Sequence, residues 1–225
     1  MKGIIAVPTS SHFYLLKKFA LDLMELRLVF DKFYSDNTFI FSEYAWLEDA
    51  RNVLWGKAKN INPDWMLWLD SDMTFTPKDG LKLVQYIQDG YDFVTGLYFA
   101  GAQPHMPLIY KEFYDERIKD LNVTYYHDFP KENKNFIEID GCGLGFFIVS
   151  KKVIEKIEEG AFNRLESWCG RKLEVNRFDE GLSFCRRVKD TGFKMYCDTD
   201  IELGHIRLST IDKEYLDSGQ MFKMA

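Results

Sequence analysis

The sequence predicts an α/β domain built on a mostly parallel central sheet flanked by helices. Two observations carry that expectation. Short β-branched and aromatic runs alternate with amphipathic stretches from the N-terminus onward, in the order strand, helix, strand, helix. The run WMLWL, residues 65–69, is apolar at every position, as a buried strand is, and a well-marked helix start follows it. No internal repeat or low-complexity linker interrupts the pattern.

Taken in order, residues 4–7 form a β-branched strand stopped by Pro8, and Ser10 and Ser11 offer N-caps for a helix through about residue 29. Residues 37–41 give a second strand. Ser42 then opens a helical pattern, with Tyr44, Leu47, Ala50, Val53 and Leu54 at three- and four-residue spacings, to about residue 59. Asn62-Pro63-Asp64 is a turn before the strand 65–69. Thr76 as N-cap, Pro77 at the first helical position, Asp79 in the capping-box place and Gly90 past the end bracket the next helix. A fourth strand opens at residues 93–95, and a Gly-, Ala- and Pro-rich loop follows over 99–107. Residues 108–134 show no assignable period. Two short strands, 136–140 and 146–149, flank the cluster GCGLG, and Ser150 caps a helix to about residue 159. A polar and aromatic segment over 163–178 precedes a helix from about 179 to 190, closed by Gly192, and residues 194–201 form the last strand.

At 225 residues the chain is expected to fold as one domain, 1–225, with a polar tail from about residue 208. Its formal charge of −6 argues against a broad nucleic-acid surface, which needs clustered Lys and Arg. Cys142, Cys169, Cys185 and Cys197 form no CxxC pair, so reduced thiols in a cytoplasmic setting are expected. The apolar run before Pro8 is too short for a signal peptide, and no stretch reaches the length of a membrane span. The triplet Asn122-Val-Thr matches a glycosylation acceptor, a pattern common by chance.

Four features carry chemistry. Asp70-Ser71-Asp72 ends the apolar run, and a buried carboxylate needs a cation or hydrogen bonds to compensate it. Two carboxylates two apart, where a strand opens into a loop, can share a hard cation, and ligands of open α/β sheets sit beyond such strand ends. GCGLG, residues 141–145, holds three glycines between strands, as at a bend or a close backbone approach to a ligand; alone it reads as a turn. Asp179 and Glu180 stand at a helix start, where acids suit the macrodipole and are also placed to act as a general base. His205 follows the last strand; a single histidine is more often structural, though imidazole is a common metal ligand.

In the order DSD, GCGLG, DEGLSFCRR, GH, the sequence resembles the GT-A fold glycosyltransferases of the family-2-like group, from IIAVPT to about Ile206. The resemblance implies a GT-A fold and transfer of a hexosyl-type group from a nucleotide-diphosphate sugar, UDP favoured over GDP, to a hydroxyl acceptor. It implies Mn²⁺ or Mg²⁺ held by Asp72, His205 and Asp70, with Asp70 reaching the ribose or a metal-bound water. Val7, Pro8 and Thr9 would cradle the nucleotide with Arg51, Asp70 and Ser71. Gly141, Cys142 and Gly143 would pass beneath the donor sugar, and Tyr98, Gln103 and Trp168 would contact sugar or acceptor, the aromatics through their ring faces. Glu180 or Asp179 would be the catalytic base. The chain departs from the family here: with Phe184 aligned to the motif phenylalanine, Gly181 stands where an Asp is usual, which leaves a retaining mechanism open.

Other readings exist. DSDMT also matches the start of haloacid dehalogenase-type Mg²⁺-dependent phosphatases, but that motif normally ends the first strand of a chain. A nucleotidyltransferase would show a Gly- and Arg/Lys-rich loop after the first strand, which VPTSSHF lacks. A non-catalytic sugar-nucleotide-binding protein is the third alternative, kept open by Gly181.

Overall fold

The computed structural model describes residues 1–10, 16–34, 36–44, 46–101, 105–115, 120–125, 135–168, 175–177 and 179–206. The first half runs β1 (Gly3–Ser10), α1 (Lys17–Phe33), β2 (Asn37–Tyr44), α2 (Leu47–Ile61), β3 (Trp65–Leu69), β4 (Met73–Thr74), α3 (Pro77–Gln88) and β5 (Phe93–Leu97). Then come β6 (Ile109–Asp115), β7 (Asp120–Tyr125), β8 (Phe136–Ile139), β9 (Gly141–Cys142), β10 (Phe146–Ser150) and α4 (Lys151–Lys156). The remainder is β11 (Glu166–Trp168), β12 (Val175–Arg177), α5 (Glu180–Asp190), β13 (Met195–Glu202) and β14 (Gly204–His205).

The central sheet among the described residues has the order β2-β1-β3-β10-β5-β13-β8. β1 is parallel to β2 and β3, and β5 to β13; β10 runs antiparallel between β3 and β5, and β8 antiparallel to β13. Alternation along β3 explains its unbroken apolar sequence. Met66 and Trp68 enter the core layer that holds Trp55, Phe162 and Phe184, while Trp65, Leu67 and Leu69 enter the layer with Phe19, Leu26, Phe30 and Leu83. A strand covered on both faces has no polar side to show. Much of the aromatic content lies here: Trp68 stacks on Phe147 at 5.7 Å and 3°, and Phe162 on Phe184 at 4.5 Å and 15°.

Several boundaries differ from expectation. β1 runs through Pro8 to Ser10, because beyond Ala6 it pairs with β2 alone and a missing N–H is tolerated at a one-sided strand. α1 starts at Lys17 with Leu16 at its N-cap, beyond Ser10, while Ser11 lies outside the described residues. β2 extends to Tyr44, and buried Ser42 is a strand residue; α2 begins five residues later than Ser42. The helical spacing from Tyr44 was real only from Leu47 on, since pairing with β1 outweighs a weak local period. The stretch that showed no period contains β6 and β7, which join β9 in a three-stranded sheet. Ser150 precedes α4 as expected, but its hydroxyl donates to Asp92 at 2.6 Å instead of capping the helix.

The capped helix matches its sequence signature: the Asp79 carboxylate accepts from the Thr76 N–H at 2.7 Å and from its hydroxyl at 2.8 Å. β13 carries a register irregularity against β5, between Asp198 paired with Gly96 and Glu202 paired with Leu97. This kink turns the chain so that β14 lies antiparallel on β4, with His205 opposite Met73. Asp72 and His205, 133 residues apart in the chain, thereby meet at the end of β3.

Phe184 joins α5 to the stack of Trp55, Phe93, Phe147 and Phe162. Phe184→Ala is expected to lower unfolding free energy by about 3–5 kcal/mol, read from urea denaturation; a loss below about 1 kcal/mol would show that the stack closes over the gap.

Candidate functional site

The site begins where β3 runs out of apolar residues. The Asp70 N–H still donates to the Gly145 carbonyl at 2.8 Å, which holds the backbone in the sheet while the side chain turns toward α2. There Arg51 meets it, with Nη2 donating to both carboxylate oxygens at 2.8 and 2.9 Å. The Arg51 side chain is only 2% exposed and lies over the rings of Trp68 and Phe162, at 5.7 and 5.8 Å. This is the compensation that a carboxylate at the end of a buried strand requires. Burial raises the Asp70 carboxyl against the lowering pull of Arg51, and the neighbouring Asp72 and Glu180 raise it further, to about 6.

Asp72 faces the other way, to β14. Its carbonyl accepts from the Ile206 N–H at 2.7 Å, and its Oδ2 lies 3.1 Å from His205 Nε2. The other ring nitrogen, Nδ1, is 2.9 Å from the Phe99 carbonyl, so both ring nitrogens face oxygen acceptors. Gly204 permits the approach, since a Cβ there would lie 2.2 Å from the Thr74 hydroxyl. Among the described residues no three His, Cys, Asp or Glu side chains converge as a metal-binding group. The expected trio is therefore divided, with Asp72 beside His205 and Asp70 on Arg51.

Asp179 and Glu180 enter from α5. Asp179 is the N-cap, its Oδ1 accepting the Leu182 N–H at 2.7 Å. Glu180, 14% exposed, sits between two guanidiniums, 3.9 Å from Arg51 Nε and 4.0 Å from Arg164 Nη2. Arg164 in turn lies 3.3 Å from Glu48 on α2. Asp179 and Glu180 line one cleft of about 390 Å³ with Arg51, Asp70, Asp72 and His205, and its apolar wall is Leu47, Met73, Leu108, Leu144 and Leu182. Arg51 Nε and Nη1 are buried in it without a hydrogen-bond partner among the described residues.

The glycine cluster forms the floor. Gly141 and Cys142 are β9, paired with β6; Cys142 and Gly143 line the cleft. Tyr98 also lines it but is 5% exposed, with its hydroxyl under the cluster, so its ring offers no face for a sugar to stack on. A Cβ on Gly143 would lie 2.2 Å from the Tyr98 oxygen, which is why a side chain cannot stand there.

Other expected residues lie elsewhere. Val7, Pro8 and Thr9 are in β1 and outside the cleft lining; Val7 is fully buried, and the Thr9 hydroxyl donates to the Ser42 carbonyl. Ser71 and Gly141 are also absent from the lining. Trp168 is in β11, paired with Val175. Gln103, Cys169 and Phe178 lie outside the described residues. Cys142, Cys185 and Cys197 are buried free thiols. No helix among the described residues is long and apolar enough to cross a membrane. The sequence reading missed Arg164 and Glu48, whose pairing spans two helices' surroundings and leaves no local signal, and the leucines of the wall, which look like ordinary core.

No family model and no curated protein matches the sequence. Solved structures do match in fold. The crystal structure of A197 from STIV is similar with a TM-score of 0.60 and 18% identity, over 92% of this chain and 87% of that one. A Drosophila β1,4-galactosyltransferase 7 mutant in complex with manganese, UDP-Gal and xylobiose is similar with a TM-score of 0.51 and 11% identity, over 96% and 78%. With its mainly parallel sheet, antiparallel β10 and flanking helices, the chain has the nucleotide-diphospho-sugar transferase fold, GT-A, that its sequence predicts.

Arg51→Met strands the Asp70 carboxylate beside Asp72 and Glu180 and is expected to cost about 3–5 kcal/mol in urea unfolding. Adding Asp70→Asn should recover part of that loss. Strict additivity of the two single changes would show that the pair is not coupled.

Proposed function

We propose that the chain is a metal-dependent glycosyltransferase that moves a sugar from a nucleotide-diphosphate donor, with UDP favoured, to a hydroxyl acceptor. The observation that carries this reading is the meeting, in one cleft at the end of β3, of Asp70, Asp72, His205 and the α5 acids. The GT-A fold supports it, because ligands of such sheets sit beyond the strand ends. Holding of both Asp70 oxygens by Arg51 disfavours the phosphatase alternative, which needs that carboxylate free to attack phosphorus.

The donor set fits a divalent cation as a two-residue seat. Asp72 and His205 would hold Mn²⁺ or Mg²⁺, an oxygen and an imidazole nitrogen suiting Mn²⁺ well, and its chemistry there is to neutralise charge on the departing nucleoside diphosphate. With Nδ1–H given to the Phe99 carbonyl, His205 would offer its Nε2 lone pair to a cation there. Asp70 acts through Arg51, fixing the guanidinium so that its remaining N–H groups face the cleft. Glu180 is the proposed base that accepts the acceptor hydroxyl's proton; Asp179 has one oxygen committed to the helix cap, while Arg51 and Arg164 hold Glu180 in place. The neutral apolar wall and glycine floor would shape the space for sugar and acceptor.

The test is calorimetric titration of UDP and GDP with and without Mn²⁺ into wild type and Asp72→Ala. Metal-dependent binding of one nucleotide is expected in wild type and its loss in the variant, with the thermal midpoint of the free protein little changed; retained affinity would remove Asp72 from the seat. Glu180→Gln is expected to lower kcat about 100-fold or more with donor affinity preserved, and Asp179→Asn to do so far less. The reverse ranking would transfer the base role to Asp179.

A further inference from the structure

Two buried side chains of the cleft hold donors that no described residue satisfies. One is Arg51, through Nε and Nη1. The other is Tyr98. A phenol has one proton to give and lone pairs to receive, and at Tyr98 the receiving side is occupied: its oxygen accepts the Gly145 N–H at 2.9 Å. No side chain or carbonyl among the described residues takes the proton. The residue is 5% exposed, so its O–H has little access to bulk water. A buried donor without a partner is costly, which makes a ligand or trapped water the natural acceptor.

Position narrows the choice. The Tyr98 ring stands edge-on to the His205 imidazole at 5.5 Å and 84°, and its carbonyl holds the Leu108 N–H at 2.9 Å. The Leu108 carbonyl holds the Gly143 N–H at 2.8 Å, so the glycine floor and the phenol are locked to each other. The hydroxyl is thus fixed against Gly143 and Gly145 at the glycine floor, with Asp70 and Arg51 as its charged neighbours.

We infer that the Tyr98 hydroxyl donates a hydrogen bond to a diphosphate oxygen of the bound nucleotide, making Tyr98 a binding residue through its O–H and not through its ring face. The inference rests on the reading of the cleft as the donor site. With Arg51 it supplies neutral and charged donors on the side of the cleft where phosphate oxygens would lie, in a cleft whose other described charges are carboxylates and His205.

The experiment is calorimetric titration of UDP and GDP, with Mg²⁺, into wild type and Tyr98→Phe, with thermal midpoints of both free proteins. Roughly tenfold weaker nucleotide binding by the variant is expected. A purely structural brace for Gly145 would lower the midpoint and leave affinity unchanged, and that result overturns the inference. If wild type binds neither nucleotide, the donor-site reading fails and the inference falls with it. Should Tyr98→Phe not fold, 3-fluorotyrosine placed at position 98 keeps the hydroxyl; its ¹⁹F resonance is expected to shift on addition of UDP and Mg²⁺, and an unmoved resonance in a protein that binds UDP overturns the assignment.

Discussion

The site depends on one buried charge pair. Arg51 carries a guanidinium into an aromatic pocket between Trp68 and Phe162, and Asp70 brings a carboxylate to the end of a strand that is apolar on both faces. Neither charge is tolerable there alone, because the loss of hydration is large and each has the other as its main compensation. The pair ties α2 to the end of β3. From that fixed point the next two residues must leave the sheet, and Asp72 is delivered to the opposite side of the turn, toward His205.

A second constraint is steric. β5, the glycine cluster and β4 approach so closely that side chains are excluded at Gly143 and Gly145, where a Cβ would collide with Tyr98 or the Met73 sulfur. The phenol of Tyr98 occupies the space that those missing side chains leave. Backbone bonds then run from Tyr98 to Leu108, from Leu108 to Gly143 and from Gly145 to Asp70, so the floor of the cleft and the carboxylate at its edge move as one unit. A rigid floor of this kind suits the proposed binding of a flexible diphosphate in one geometry.

Particular residues show how much of this was legible. The run at 65–69, the capping signals at Thr76 and Asp79, and the helix after Asp179 announce themselves because each is a local pattern whose physics is complete within a few residues. The DSD segment was legible as an anomaly, a charge where apolar residues should continue, and the need for a counter-ion followed. By contrast the helix expected from Ser42 failed because parallel pairing with β1 reaches to Tyr44, and Tyr98 was assigned a ring-stacking role that its burial under the glycine cluster overturns. Both errors concern residues whose state is set by distant neighbours.

The sequence by itself determined the α/β alternation, the GT-A class and the identities of the acids and histidine that line the cleft, since hydrophobic periodicity and capping chemistry act over short range. Only the tertiary structure decided how those groups are shared. Arg51 claims Asp70; the kink in β13 carries His205 to Asp72; and the phenol of Tyr98 turns its oxygen to Gly145. These outcomes follow from competition among groups far apart in the chain for the same few ångströms, and burial strengthens every such contest by removing water as the alternative partner.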